Sequence, residues 1–276
     1  MSNSDDASVS LPWIWSGRAL RLLNAFPRLD YDDDQIPFVS PNALAAQFAE
    51  DGRPVSEAVI SFQRKLAGHV FYTGRHHGRQ YRWGIQFDAP DNGLKEPYEF
   101  ECVALTDALP VVFLLRTDGQ IFANDDYYAR DARVLVESQA VDFEWHTTVA
   151  LHVPIYRIHL PIQPRSNPFW TAVVNAARNL CLEKLEAASD ELRQYFVRPD
   201  AYLSTEPYFG VRSFAEDIPA AMGMFTCTSE QDAQAFYDAL AVSAGWPPLI
   251  WKPLPEQRNS QGAYPQGFSF MPKWVS

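Results

Sequence analysis

The chain's carboxylates fall in runs. Asp32, Asp33 and Asp34 are consecutive, and Asp125, Asp126 and Asp131 form a second group. Two carboxylates can divide acid and base roles when an apolar frame separates their pKa values. Here the neighbours are Gln, Asn and Tyr, which predicts solvated loops of like charge and an interaction surface. A calcium loop is not indicated either, because the alternating ligands and distal Glu of an EF-hand are missing.

Histidine and cysteine give no metal or nucleophile pattern. His76 and His77 fall in an expected hairpin tip, where adjacent side chains point apart and rarely share a metal. His146, His152 and His159 lack a pair at helical i, i+4 spacing. Gly-x-Ser-x-Gly, Gly-x-Gly-x-x-Gly and Walker-type Gly-Lys-Ser/Thr sequences do not occur. Cys102 follows Glu101, and an acidic neighbour raises a thiol's pKa. Cys102, Cys181 and Cys227 are far apart, which predicts three buried free thiols in a reducing compartment. No catalytic residue, metal or cofactor is expected.

Charge narrows the partner classes. The 276-residue chain has a net charge of −11 and a pI of about 5.0, so phosphate backbones repel it and a nucleic-acid partner is not expected. An acidic surface suits a basic protein partner. Residues 29–51 contain no Lys or Arg, whereas residues 58–87 contain no Asp or Glu and carry Arg64, Lys65, Arg75, Arg79 and Arg82. The two stretches either pair with each other or form a dipolar face that orients a charged partner. No apolar run has the roughly 18 residues of a membrane helix. The opening Met-Ser-Asn-Ser-Asp-Asp has no basic region followed by an apolar run, so no secretory signal, no membrane contact and a cytoplasmic location are expected.

The elements that must position these residues read as follows. A short helix is expected within residues 13–26. Ser40-Pro41 starts a second helix that ends near Gly52. Pro54 opens a third, with Val55, Val59, Phe62 and Leu66 on one stripe and Gly68 as its stop. Strands follow at 70–73, 81–87 and 98–105, then a hairpin of 111–116 and 120–123 around Asp118-Gly119. Ser138 is expected to cap a helix to about residue 151. Beyond it come an extended stretch at 152–163, a long helix after Asn167-Pro168, and a helix at 190–196. Strands at 208–214 and 222–227 follow, then a helix capped by Thr228 and Gln231 and an extended tail from Trp246. Successive strands without helical crossovers predict an α+β fold. An antiparallel meander packs against helices, with a helix-rich C-terminal half and an extended C-terminal tail. With 47% hydrophobic residues the chain can bury a substantial core.

The order of apolar helix, Gly stop, meander, Asp-Gly hairpin and closing helix resembles the SUKH superfamily of bacterial immunity proteins. Val59-Ile60-Ser61-Phe62-Gln63-Arg64-Lys65-Leu66-Ala67-Gly68 is similar to that family's helix-to-first-strand junction. Val111-Val112-Phe113-Leu114-Leu115-Arg116-Thr117-Asp118-Gly119-Gln120-Ile121-Phe122 is similar to its hairpin. Residues 138–151, with Phe143-Glu144-Trp145, look like its closing helix. The resemblance covers about residues 40–151 within a SUKH-like domain at 1–153. Residues 154–276 are expected to form a helical or α+β extension packed on it, or to continue it as one domain.

The resemblance implies a cytoplasmic immunity protein of interbacterial competition, a protein that binds a toxin domain and occludes its active site without a cofactor. Asp32, Asp33, Asp34, Asp125 and Asp126 are the expected electrostatic contacts. Tyr127 and Tyr128 are the expected aromatic anchors. The alternatives are an enzyme of unrecognised type, whose 14% aromatic residues and eight Trp would line a pocket, and a scaffold or regulatory binding protein.

Overall fold

The computed structural model describes residues 14–26, 28, 38–72, 80–85, 97–105, 112–123, 126–150, 152–164, 167–207, 220–253 and 267–270. The first half begins with α1 (Gly17–Ala25), α2 (Pro41–Glu50) and α3 (Glu57–Leu66). Ser40 caps α2 with Pro41 in its first turn, as expected. Helix α3 starts at Glu57, three residues later than Pro54 predicts. Ser56 is its cap, accepting from the Val59 amide and donating to the Thr117 carbonyl at 2.7 Å. Val55 therefore precedes the helix and is 45% exposed, while Val59, Phe62 and Leu66 form the buried stripe.

Two small antiparallel sheets follow. One contains β1 (Val70–Tyr72), β2 (Gln80–Trp83) and β4 (Val103–Leu105), and the other β3 (Glu99–Glu101), β5 (Phe113–Arg116), β6 (Ile121–Ala123) and β7 (Asp126–Ala129). The single strand expected at 98–105 is thus two strands in different sheets. Cys102 hands the chain between them: its amide donates to the Phe113 carbonyl, and its carbonyl accepts from the Gly84 amide, both at 2.9 Å. Gly84 has φ +142°, and a Cβ there would lie 2.5 Å from the Phe38 ring. The Asp-Gly hairpin is present, with Gly119 at φ 93° and Asp118 accepting from the Gln120 amide.

Helix α4 (Ala132–Thr148) is capped by Asp131, whose carboxylate accepts from the Val134 amide at 2.8 Å. The expected cap, Ser138, lies inside the helix, fully buried, and its hydroxyl donates back to the Leu135 carbonyl. Helix α1 docks on α4 through two carboxylates. Glu137 accepts from the Ser16 amide and hydroxyl at 2.8 and 2.5 Å, and Glu144 takes Arg18 and Arg21.

The second half is built on a sheet, not on the helices expected there. Its elements are β8 (Ile155–Pro164), α5 (Pro168–Asn179), β9 (Glu183–Lys184), a 3-10 turn (Glu186–Ala188), β10 (Gln194–Arg198), β11 (Ala201–Pro207), β12 (Ala220–Cys227), α6 (Glu230–Ala244), β13 (Lys252–Pro253) and β14 (Gly267–Phe270). The seven strands run in the order β13-β14-β8-β12-β11-β10-β9, with β14 parallel to β8 and every other neighbouring pair antiparallel. The helix expected at 190–196 is in fact the approach to β10 and its first residues. Tyr195 and Phe196 are both buried but belong to cores on opposite faces of the sheet, which is strand alternation. The strand expected at 208–214 lies outside the described residues. Helix α6 is capped by Ser229, which accepts from the Asp232 amide, one residue after the expected Thr228. Helix α5 stops at Asn179, and Cys181 follows with φ 58°.

The buried side chains form three clusters. One fills the first half and includes Ala132, Leu135, Val136 and Ala140 of α4. A second lies between the seven-stranded sheet and helices α5 and α6. The third joins Val141 and Trp145 of α4 to Tyr195, Tyr202 and Met224 on the sheet's other face. Helix α4 thus feeds the core of the first half and the junction with the second, and its residues from Val134 to Val141 are all buried.

Candidate functional site

Of the expected partner contacts, Asp32, Asp33, Asp34 and Asp125 lie outside the described residues. Asp126 is exposed at the start of β7, opposite Ala123. The segment read as a solvated loop is therefore the edge strand of the four-stranded sheet from this residue on. Tyr127 is half-buried, its ring edge-on to Phe122, and its hydroxyl donates to Asp190 at 3.2 Å. Burial, and then the Asp190 charge, push its phenol well above the usual value, so it stays protonated. Tyr128 does not fit the anchor role expected of it. It is 2% exposed, packs edge-on to Phe113 at 5.1 Å, and lies under the Arg193 guanidinium at 4.7 Å. The β6–β7 register shifts between Ile121 and Phe122 and passes over Tyr128, which lies in the core while Tyr127 is half-buried.

Behind this strand sits a polar junction that the sequence reading missed. Asp190, itself buried, accepts from the Tyr127 hydroxyl and from the amides of Arg130 (3.0 Å), Leu192 (2.9 Å) and Arg193 (2.6 Å). Arg193 is fully buried. It donates to the Tyr128 carbonyl and the Ser138 hydroxyl, both at 3.2 Å, and pairs with Glu206 at 3.4 Å. The Tyr195 hydroxyl donates to Glu206 at 2.6 Å and stands 3.5 Å from Asp142 of α4. Burial opposes charge on Arg193, but Glu206 together with Tyr128, Tyr195 and Asp190 outweighs it and keeps the guanidinium protonated. Burial, with the Asp142 and Glu206 charges, holds the Tyr195 phenol far above its ordinary range. Groups held this firmly do not exchange protons near neutrality. Their work is to bind α4, β7, β10 and β11 together. The signal that could have found them is the alternation of Arg193, Tyr195 and Val197 against Gln194, Phe196 and Arg198, which has the period of a strand.

The basic stretch is described in part, since Arg75 and Arg79 lie outside the described residues. Arg82 is buried with its guanidinium 5.1 Å from the Phe38 ring. Burial, and the neighbouring Arg64 charge, lower the Lys65 ammonium. Among the described residues no group of three or more His, Cys, Asp or Glu side chains is placed to hold a metal ion. No helix among them is long and apolar enough to cross a membrane. Cys102 and Cys227 are buried, whereas Cys181, expected to be buried, is exposed. Aromatic rings of the second half pack on one another, as in Phe225 on Phe236 at 4.1 Å and Tyr156 on Trp251 at 5.2 Å.

No protein-family model, curated protein or solved structure matches this chain.

Proposed function

We propose that the chain is a cytoplasmic binding protein of the toxin-neutralising kind, an immunity protein that occludes a basic toxin domain acting on nucleic acid or nucleotides. The observation that carries this reading is the start of β7, where an exposed carboxylate, Asp126, precedes Tyr127, a half-buried aromatic side chain whose hydroxyl is held by Asp190. A rigid amphipathic ring beside an acid is an inexpensive anchor for a partner, because little side-chain freedom is lost on binding. The net charge of −11 supports fast, salt-sensitive association with a basic surface. Neither a cofactor nor a catalytic residue is part of this reading.

Asp32, Asp33, Asp34, Asp125 and Asp126 supply the electrostatic contacts and Tyr127 the anchor; Tyr128 leaves the set. The test is charge reversal at all five aspartates in the full chain. Binding to the captured toxin domain weakens and loses its salt dependence if the assignment holds. Unchanged affinity and unchanged salt dependence remove it.

A second reading, an enzyme of unrecognised type, draws on β8. Arg157 and His159 alternate with Ile158 and Leu160, so they share the half-buried side of the sheet that faces α4. A ligand that shifts the His159 ring resonances would favour it.

A further inference from the structure

The end of α1 meets a histidine that its neighbours hold in one protonation state. His69 is 9% exposed and follows α3 directly. Its Nδ1 lies 2.8 Å from the Phe26 carbonyl, and Arg28 Nε donates to its Nε2 at 3.3 Å. A carbonyl only accepts and a guanidinium only donates. These two contacts therefore select the neutral ring with its hydrogen on Nδ1. Arg28 also donates through Nη2 to the Arg64 carbonyl at 2.5 Å, in the last turn of α3. One imidazole and one guanidinium thus tie the exit of α1 to the end of α3. The His69 main chain is held separately by β2: the Gly68 amide donates to the Trp83 carbonyl at 2.8 Å, and the Trp83 amide to the His69 carbonyl at 2.9 Å.

We propose that this joint is a proton-operated latch, in which protonation of His69 at Nε2 removes the acceptor for Arg28 and weakens the tie between the chain after α1 and α3. One proton passes from solvent to Nε2, while the Nδ1 hydrogen stays on the Phe26 carbonyl. Two cations then face each other where a hydrogen bond stood. The charged groups at this end of the adjoining elements are Arg28 beyond α1, Arg64 and Lys65 in the last turn of α3, and Arg82 on β2, whereas Glu57 lies in the first turn of α3 and Arg18 and Arg21 of α1 pair with Glu144. The groups at this end are cations, and the Arg28 charge resists the added proton. Burial lowers the His69 pKa below 6.5; the Phe26 hydrogen bond opposes this and the Arg28 charge adds to it. With the folded value lowered, the latch contributes fully above the unfolded value of 6.5, and its contribution is lost as pH falls from there through the folded value. The acidic run that includes Asp30, Asp32, Asp33 and Asp34 follows Arg28 in sequence, so the latch sits at its root. The inference does not depend on which partner the chain binds.

An NMR titration of the full chain from about pH 8 to about pH 5 brackets the ordinary range of histidine and tests it. The latch requires the Nδ1–H tautomer at the upper end and a His69 midpoint below 6.5. It also requires an Arg28 Nε–H signal that is protected at the upper end and disappears with that midpoint. A midpoint at or above 6.5, the opposite tautomer, or an Arg28 signal indifferent to the titration overturns it. His69→Gln offers an acceptor that cannot titrate. In that variant the Arg28 signal persists at the acid end, and loss matching the parent chain contradicts the latch. If the variant does not fold, the titration of the parent chain decides alone.

Discussion

Arg193 donates to the main-chain carbonyl of Tyr128 across 3.2 Å, so a side chain beside β10 completes the edge of a sheet to which it does not belong. An edge strand exposes main-chain groups that invite pairing with another chain. Here Arg193 and Asp190 take up the Tyr128 carbonyl and the Arg130 amide. The same strand carries Asp126, exposed, and Tyr127, half-buried.

Removing the guanidinium while Glu206 stays leaves a buried carboxylate without its cation. Arg193→Met is expected to lower stability by about 3–5 kcal/mol, the usual cost of breaking one side of a buried pair. Adding Glu206→Gln should recover part of that loss, because the stranded charge is gone. Urea unfolding of the two single variants and the double variant gives the coupling directly.

Caps distinguish the observed helix starts from the expected ones. Asp131→Ala and Ser229→Ala should each cost about 1 kcal/mol, the usual value of an N-cap. Thr228→Ala, one residue off the cap, should stay within about 0.5 kcal/mol. Denaturation midpoints at constant slope measure all three.

What the sequence makes legible is what is local. The Ser40 cap, the Val59, Phe62 and Leu66 stripe and the Asp118-Gly119 turn each depend on residues a few positions apart, and each forms as expected. Helix α4 starts about two turns earlier than Ser138 suggests, because it is buried all round from Val134 to Val141 and shows no polar face there to mark its length. The switch at Cys102 depends on which strands lie beside it, Phe113 on one side and Gly84 on the other, and no local pattern encodes that. Residues 190–196 mislead for a related reason: strand pairing with β11 overrides a sequence that also has helical spacing. At the candidate site, Asp126 and Tyr127 are named by type alone, and Tyr128 is buried where the β6–β7 pairing is irregular, which no local pattern encodes. The Arg193–Glu206 pair joins two strands and was invisible before the register was known.

The thiols should separate by burial. Cys181 is exposed and should react with a thiol reagent in the native protein. Burial pushes Cys102 well up and Cys227 to about 12, so neither supplies thiolate near neutrality. A native count of one reactive thiol, rising to three in denaturant, is expected from mass spectrometry after alkylation.

The α1–α4 clamp should appear on the acid side. Burial would raise the Glu144 carboxyl, but the hydrogen bonds and charges of Arg18 and Arg21 outweigh it and hold the group below 4.5. A carboxyl lowered in the folded state stabilises above its unfolded value and loses that contribution as pH falls through the folded value. Glu144→Gln should therefore flatten the stability profile below 4.5. Because the cluster is partly solvated, the loss near neutrality should be no more than about 1 kcal/mol and should shrink with salt. Urea unfolding across that pH range, at two salt concentrations, checks the sign.

The most direct test of the binding reading is a pull-down of the full tagged chain from cells that express a candidate toxin domain. The bound fraction is washed at low and then moderate salt and identified by mass spectrometry. A neutralising protein recovers a basic toxin domain in stoichiometric amount, and Asp126→Lys with Tyr127→Ala releases it at lower salt than the parent chain. Recovery of no toxin domain from cells shown to contain one contradicts the proposal.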